Sequence, residues 1–143
     1  MNKKYLIVVA DYYKDIAKGL LDSALKLIPK SNEIKIIRVP GVFEIPVTIS
    51  KNIKKYDAFL ALGCVIKGQT PHFDFISQAS TNAIMDLSIL NKKPIGNGVI
   101  TCLSMKQAKV RRKKGAEAAD AVNSVLSQKW KLILIQRIIQ ELL

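Results

Sequence analysis

The chain's one histidine, His72, sits in Gly68-Gln69-Thr70-Pro71-His72, a setting suited to moving protons beside a bound anion. Thr70 is a favoured helix N-cap and Pro71 a favoured first helical residue, so this loop is expected to run straight into a helix start. Free backbone N–H groups and the positive end of the helix dipole make such a start attractive to phosphate. A neutral imidazole placed there can both accept and donate a proton. Two further stretches offer binding chemistry. Val39-Pro40-Gly41-Val42-Phe43-Glu44-Ile45-Pro46 presents an aromatic ring and a carboxylate behind a Pro-Gly pair, which suits a type II turn with Gly41 at positive φ. The run Arg111-Arg112-Lys113-Lys114 offers guanidinium forks and ammonium groups that could clamp a phosphate. Each also has a plain reading: a surface histidine, an ordinary turn with a core Phe, a solvated loop.

The elements that must hold these residues follow from hydrophobic patterning. Apolar runs over Tyr5–Ala10, Ile34–Val39, Ala58–Ile66 and Ile95–Leu103 read as strands. Two are nearly continuous in Val, Ile, Leu and Ala, as expected of parallel strands buried on both faces. Between them, Ile16, Leu20, Ala24 and Leu27 repeat at helical spacing, as do Ile45, Ile49 and Ile53. Phe73 to about Leu90 is a third helix candidate. Ser104 to Gln107 has the form of a capping box. A last helix runs from about Ala116, with Ala118, Ala119, Val122, Val125 and Leu126 on one face. Strands alternating with helices predict one three-layer α/β/α sandwich around a four-stranded parallel sheet, flavodoxin-like in type. In such folds ligands lie beyond the carboxyl ends of the strands, and all three motifs follow strand ends.

Composition narrows the function. The 143 residues form a single domain, 49% hydrophobic with a mean hydropathy of +0.15, enough to build a core without staples. Cys64 and Cys102 lie in apolar runs and read as buried, reduced thiols. With one histidine, no Cys/His zinc spacing can be assembled, so no metal is expected. No export signal or membrane span is legible, which points to the cytoplasm. The net charge of +12 attracts anions. No aromatic residues interleave the basic clusters, and no helix-turn-helix or finger pattern is present, so nucleic acid is not the expected partner. A non-catalytic flavin-binding module of flavodoxin type is the other alternative. Against it, the anion loop follows the third strand, and Tyr12-Tyr13 stand where the first strand's phosphate loop would be.

In order and distance, VPGVFEIP, ALGCVIKGQTPHFD and the NGVIT…QA…R…KGAEAA block resemble the lumazine synthases, over about residues 5 to 128. The resemblance implies an α/β/α sandwich assembled as pentamers or multiples of pentamers, with active sites shared between subunits. It implies a cofactor-free condensation of 5-amino-6-(D-ribitylamino)uracil with 3,4-dihydroxy-2-butanone 4-phosphate, giving 6,7-dimethyl-8-ribityllumazine, phosphate and water in riboflavin synthesis. By the same resemblance Tyr12 stacks on the pyrimidine. Gly41, Val42, Phe43 and Glu44 meet the ribitylaminouracil, and Cys64, Val65 and Ile66 line its pocket. Gln69 and Thr70 hold phosphate and His72 is catalytic. Asn97, Arg111 and Lys114 come from the adjacent subunit, Arg111 to grip phosphate. The chain departs from the family in two places. The stretch from Gln107 to Gly115 is several residues short, which makes Arg112 a rival to Arg111. The tail from about Trp130, KWKLILIQRIIQELL, has no counterpart: it reads as an extended helix docking on a neighbour, or as an aberration of the sequence.

Overall fold

The computed structural model describes residues 2–128 and 130–143, and the side chains of 130–134 fall outside that description, as does Lys129 at the head of the tail. Four parallel strands, β1 (Lys4–Ala10), β2 (Glu33–Val39), β3 (Ala58–Ile66) and β4 (Ile95–Cys102), form one sheet in the order β2-β1-β3-β4. Helices α1 (Lys14–Leu27), α2 (Ile45–Asn52), α3 (His72–Asn91), α4 (Met105–Arg111) and α5 (Gly115–Leu126) connect and follow them. The expected four-stranded α/β sandwich is the observed fold. The tail forms a further helix, α6 (Trp130–Leu142), on which Ile135, Ile138, Ile139 and Leu142 are exposed.

The central strands explain the two-sided core. Leu6 to Val9 of β1 and Ala58 to Leu62 of β3 are entirely buried, because helices cover both faces. Alternate residues divide between two clusters. Tyr5, Ile7, Val9, Leu60, Leu62 and Cys64 pack with α1 and α5, through Leu20, Ala24, Ala119 and Val122. Leu6, Val8, Phe59 and Ala61 pack on the other side with Ile45 and Ile49 of α2 and Ile84 of α3. Each fully buried aliphatic side chain contributes about 1.5–3 kcal/mol. On the outer strand β4 the pattern alternates: Gly96, Gly98, Ile100 and Cys102 face inward while Asn97 and Thr101 are exposed.

Local chemistry sets the helix starts, with three departures from expectation. Ser104 caps α4 as expected, its Oγ accepting from the Gln107 N–H at 3.2 Å, but Gln107 reaches one residue further back and accepts from the Leu103 N–H at 2.8 Å. Thr70 is not the N-cap of α3. Pro71 takes that place at φ −70° and ψ 4°, and the Asp74 and Phe75 N–H groups both donate to its carbonyl. The proline ring already fixes a helix-compatible φ, so the helix begins at His72 without a side-chain cap. Pro40-Gly41 makes no type II turn. Gly41 is extended (φ −146°, ψ 172°), and the chain reverses in a 3₁₀ turn over Val42–Glu44, closed by the Glu44 N–H on the Gly41 carbonyl at 3.2 Å. Positive φ is not what selects glycine here. A side chain at Gly41 would stand 3.2 Å from Oε1 of Glu44.

Glycine also lets α5 approach α1. A Cβ on Gly115 would run into the Leu20 carbonyl, whereas one on Gly68 would meet nothing within 4 Å. Gly115→Ala is therefore expected to lower unfolding free energy by about 1–3 kcal/mol, and Gly68→Ala to leave it within about 0.5 kcal/mol, in denaturant titrations of both variants. Equal stability of the two would contradict this packing.

Candidate active site

The sheet order reverses direction between β1 and β3, and the crevice there opens at their carboxyl ends, the usual ligand position in such sheets. A cleft of about 580 Å³ occupies it. Its walls come from three successive crossovers: Tyr12 and Tyr13 after β1, Gly41 to Glu44 after β2, and Val65 and Ile66 at the end of β3, with His72 and Ile76 from the first turns of α3. Gly63 makes the second wall possible, since a Cβ there would come within 2.8 Å of Val42 Cγ2 and 3.1 Å of Ala10 Cβ. The 3₁₀ turn therefore lies close over β3, holding Phe43 exposed and Glu44 half-buried at the rim. Thr48 secures the turn by donating its hydroxyl to the Glu44 carbonyl at 2.7 Å.

The aromatic wall is a pair. Tyr12 is 75% exposed, leaving a ring face free to stack on a planar ligand. Tyr13 meets it edge-on, with centroids 4.9 Å apart and planes at 83°. Burial, then the nearby Tyr12 and Cys64, raise the Tyr13 pKa, so this phenol stays neutral and keeps its proton to donate. Tyr13 and Ile76 are lining residues that sequence reasoning did not select. The i, i+4 spacing of Ile76 from His72 would have found the latter.

A second, shallower groove of about 290 Å³ follows the free edge of β4, lined by Asn97 to Thr101, Arg111, Lys114 and Glu117. Asn97 Oδ1 accepts from the Val99 N–H at 3.0 Å. Lys114 pairs with Glu117 at 3.3 Å, an exposed contact of about a few tenths of a kcal/mol. Among the described residues Arg111 makes no ion pair. Arg112 turns the other way. Its Nη1 lies 2.9 Å from Asp15 Oδ2 on α1 and it does not line the groove.

The site residues expected from the sequence thus fall into two groups within one chain. Tyr12, Gly41, Val42, Phe43, Glu44, Val65, Ile66 and His72 meet in the cleft; Asn97, Arg111 and Lys114 meet at the β4 edge. Gln69 and Thr70 are exposed on the loop leading to His72, outside the residues that line the cleft. Cys64 lies beneath the cleft rather than in its wall, 8% exposed on the α1/α5 side of the sheet. Both cysteines are free and buried. Among the described residues no cluster of His, Cys, Asp and Glu could hold a metal ion, and no helix is long and apolar enough to cross a membrane.

Fold and cleft define a doubly wound α/β protein with an aromatic ring, a carboxylate and an imidazole around one cleft at its strand ends. The family model described as 6,7-dimethyl-8-ribityllumazine synthase matches residues 2–129. Proteins of that name are similar over most of their length: one from Methylobacterium nodulans is 42% identical over 90% of this chain and 78% of its own, and one from Cutibacterium acnes 39% identical over 87% and 80%. The 6,7-dimethyl-8-ribityllumazine synthase 1 of Rhodopseudomonas palustris is 39% identical over 90% of this chain and 87% of its own. The chain belongs to the 6,7-dimethyl-8-ribityllumazine synthase family, transferases of riboflavin biosynthesis.

Burial, with Cys102 alongside, pushes the Cys64 thiol up to about 12, so at pH 8 only roughly one in 10⁴ is thiolate. Native protein treated with iodoacetamide at pH 8 should keep Cys64 unmodified by mass spectrometry, with alkylation appearing once denaturant is added. Rapid native alkylation would place this thiol at the surface instead.

Proposed function

We propose that the chain condenses 5-amino-6-(D-ribitylamino)uracil with 3,4-dihydroxy-2-butanone 4-phosphate to form 6,7-dimethyl-8-ribityllumazine, in sites completed by a neighbouring copy of the same chain. The observation that carries this reading is the division of chemistry between the cleft and the β4 edge. The cleft has a stacking ring in Tyr12, a carboxylate in Glu44 and an imidazole in His72, while the cations Arg111 and Lys114 line a separate groove. A contact that brings the β4 edge of one copy against the cleft of the next supplies both halves. That contact is heterologous, and repeated by rotation it closes a ring. A pentamer, or a multiple of pentamers, is the ring we propose, as the family resemblance suggests. The cytoplasm is its proposed location, in keeping with the same resemblance.

In this site the pyrimidine stacks on Tyr12 against Val65 and Ile66, with Phe43 and Glu44 along the ribityl chain. Gln69, Thr70 and the start of α3 face the phosphate from one side. Arg111 faces it from the neighbour, with Asn97 and Lys114 nearer the uracil. The uracil amine attacks the ketone carbon, and loss of water leaves an imine. Phosphate then departs, and the enol formed tautomerises to a ketone. This carbonyl is attacked by the ribityl-bearing amine nitrogen on the adjacent uracil carbon, and a second water leaves. His72 relays protons through these steps, and Arg111 takes up charge developing on the leaving phosphate. Holding two substrates together can itself supply roughly 7–11 kcal/mol in ideal cases.

Purified protein mixed with both substrates should produce the fluorescent lumazine, and size measurement on the same sample should give an oligomer; a monomer, or no product, would overturn the reading. His72→Ala should slow turnover by roughly tenfold or more. Arg111→Ala should raise the KM of the sugar phosphate more than that of the uracil.

A further inference from the structure

The turn between Arg111, the last residue of α4, and Gly115, the first of α5, is three residues long, from Arg112 to Lys114. Both flanks are seated: Ala108 of α4 is fully buried and Gly115 sits against the Leu20 carbonyl of α1. Within the turn, Arg112 crosses to α1. Its methylenes lie over Gly19, where an added Cβ would come within 2.8 Å of Arg112 Cγ and 2.9 Å of its Cβ. Its guanidinium reaches Asp15, one helical turn earlier on the same face, at 2.9 Å. Arg111 and Lys114 face the β4 groove instead.

We infer that Arg112 is a positioning residue. Held by Asp15 and seated over Gly19, it sets the rotation of the turn and so aims Arg111 and Lys114 at the phosphate. This rests on the reading of Arg111 as a phosphate ligand. The pair is partly exposed, with side chains 42% and 67% accessible, so it contributes little to stability. Its effect lies in orientation, because an arginine fork grips phosphate only from a defined direction. The glycine at position 19 follows from the same contact, since any side chain there would lift Arg112 off the helix.

The sign of one substitution separates positioning from direct phosphate binding. Asp15→Asn removes a negative charge near a cationic turn, which by itself strengthens anion binding, and would do so further if Arg112 were the ligand. If Arg112 is a strut, the same change weakens it. Steady-state kinetics of Asp15→Asn and Gly19→Ala should show the KM of the butanone phosphate raised about fivefold, with the KM of the uracil and kcat within about twofold. Calorimetric binding of inorganic phosphate should weaken in parallel, and thermal midpoints should stay near the parent's. Asp15→Asn combined with Arg112→Gln should be no worse than either alone, since both cut one link. Arg111→Ala is the control. If it raises the sugar-phosphate KM while Asp15→Asn lowers or leaves it, the positioning role is overturned. If Arg111→Ala has no effect, the phosphate reading beneath it fails, and the inference with it.

Discussion

Parallel strands cannot be joined by tight hairpins; each must hand the chain to a crossover that returns along one face of the sheet. With four strands in this arrangement, every carboxyl end emerges on the same side, and the crossovers after β1, β2 and β3 meet at the point where the strand order reverses. The cleft exists because of that constraint. Tyr12, Glu44 and His72 are up to 60 residues apart in the chain, and they converge because each follows a strand of one parallel sheet.

The same sheet leaves β4 with no strand on its outer side, and α3 and α5 lie on opposite faces of it. Its alternating burial differs from the continuous burial of β1 and β3, as the position at the edge requires. An open edge is commonly a liability, which proteins cover or charge. Here it carries Asn97 and is flanked by Arg111, Lys114 and Glu117. In the proposed shared site this is the surface that a second copy covers, so one device would both protect the edge and complete the chemistry.

Close approaches at glycine hold the cleft and the cationic turn in place. Gly63 admits the 3₁₀ turn over β3, Gly41 leaves space for the Glu44 carboxylate, Gly115 lets α5 rest on α1, and Gly19 gives Arg112 its seat. None of them has positive φ; each is selected by proximity of another chain segment, and so by the tertiary fold. The lysine pair 92–93 resolves in a similar way. Lys93 donates to the carbonyls of Ile53 and Tyr56 at 2.7 and 3.0 Å, and Lys92 ends α3 in the left-handed region, so part of the basic excess serves the fold.

Strand positions, the two-sided burial of β1 and β3, the crossover order and the placement of the cleft at the strand ends were all legible in the sequence, because hydrophobic period and length are local properties of the chain. His72 stood out as a candidate from its neighbours alone, whereas the basic run by itself left Arg111 and Arg112 as rivals and only the family resemblance chose between them. Three things were decided only in the folded chain. Gly41 turned out extended, because the pressure on it comes from Glu44 rather than from its own dihedrals. Cys64 fell beneath the cleft wall, because strand register and pleat, not sequence order, choose which face a residue takes. Arg112 parted from Arg111, because its partner Asp15 lies 97 residues away. Contacts across that separation depend on how helices pack, and no local pattern of residue types encodes them.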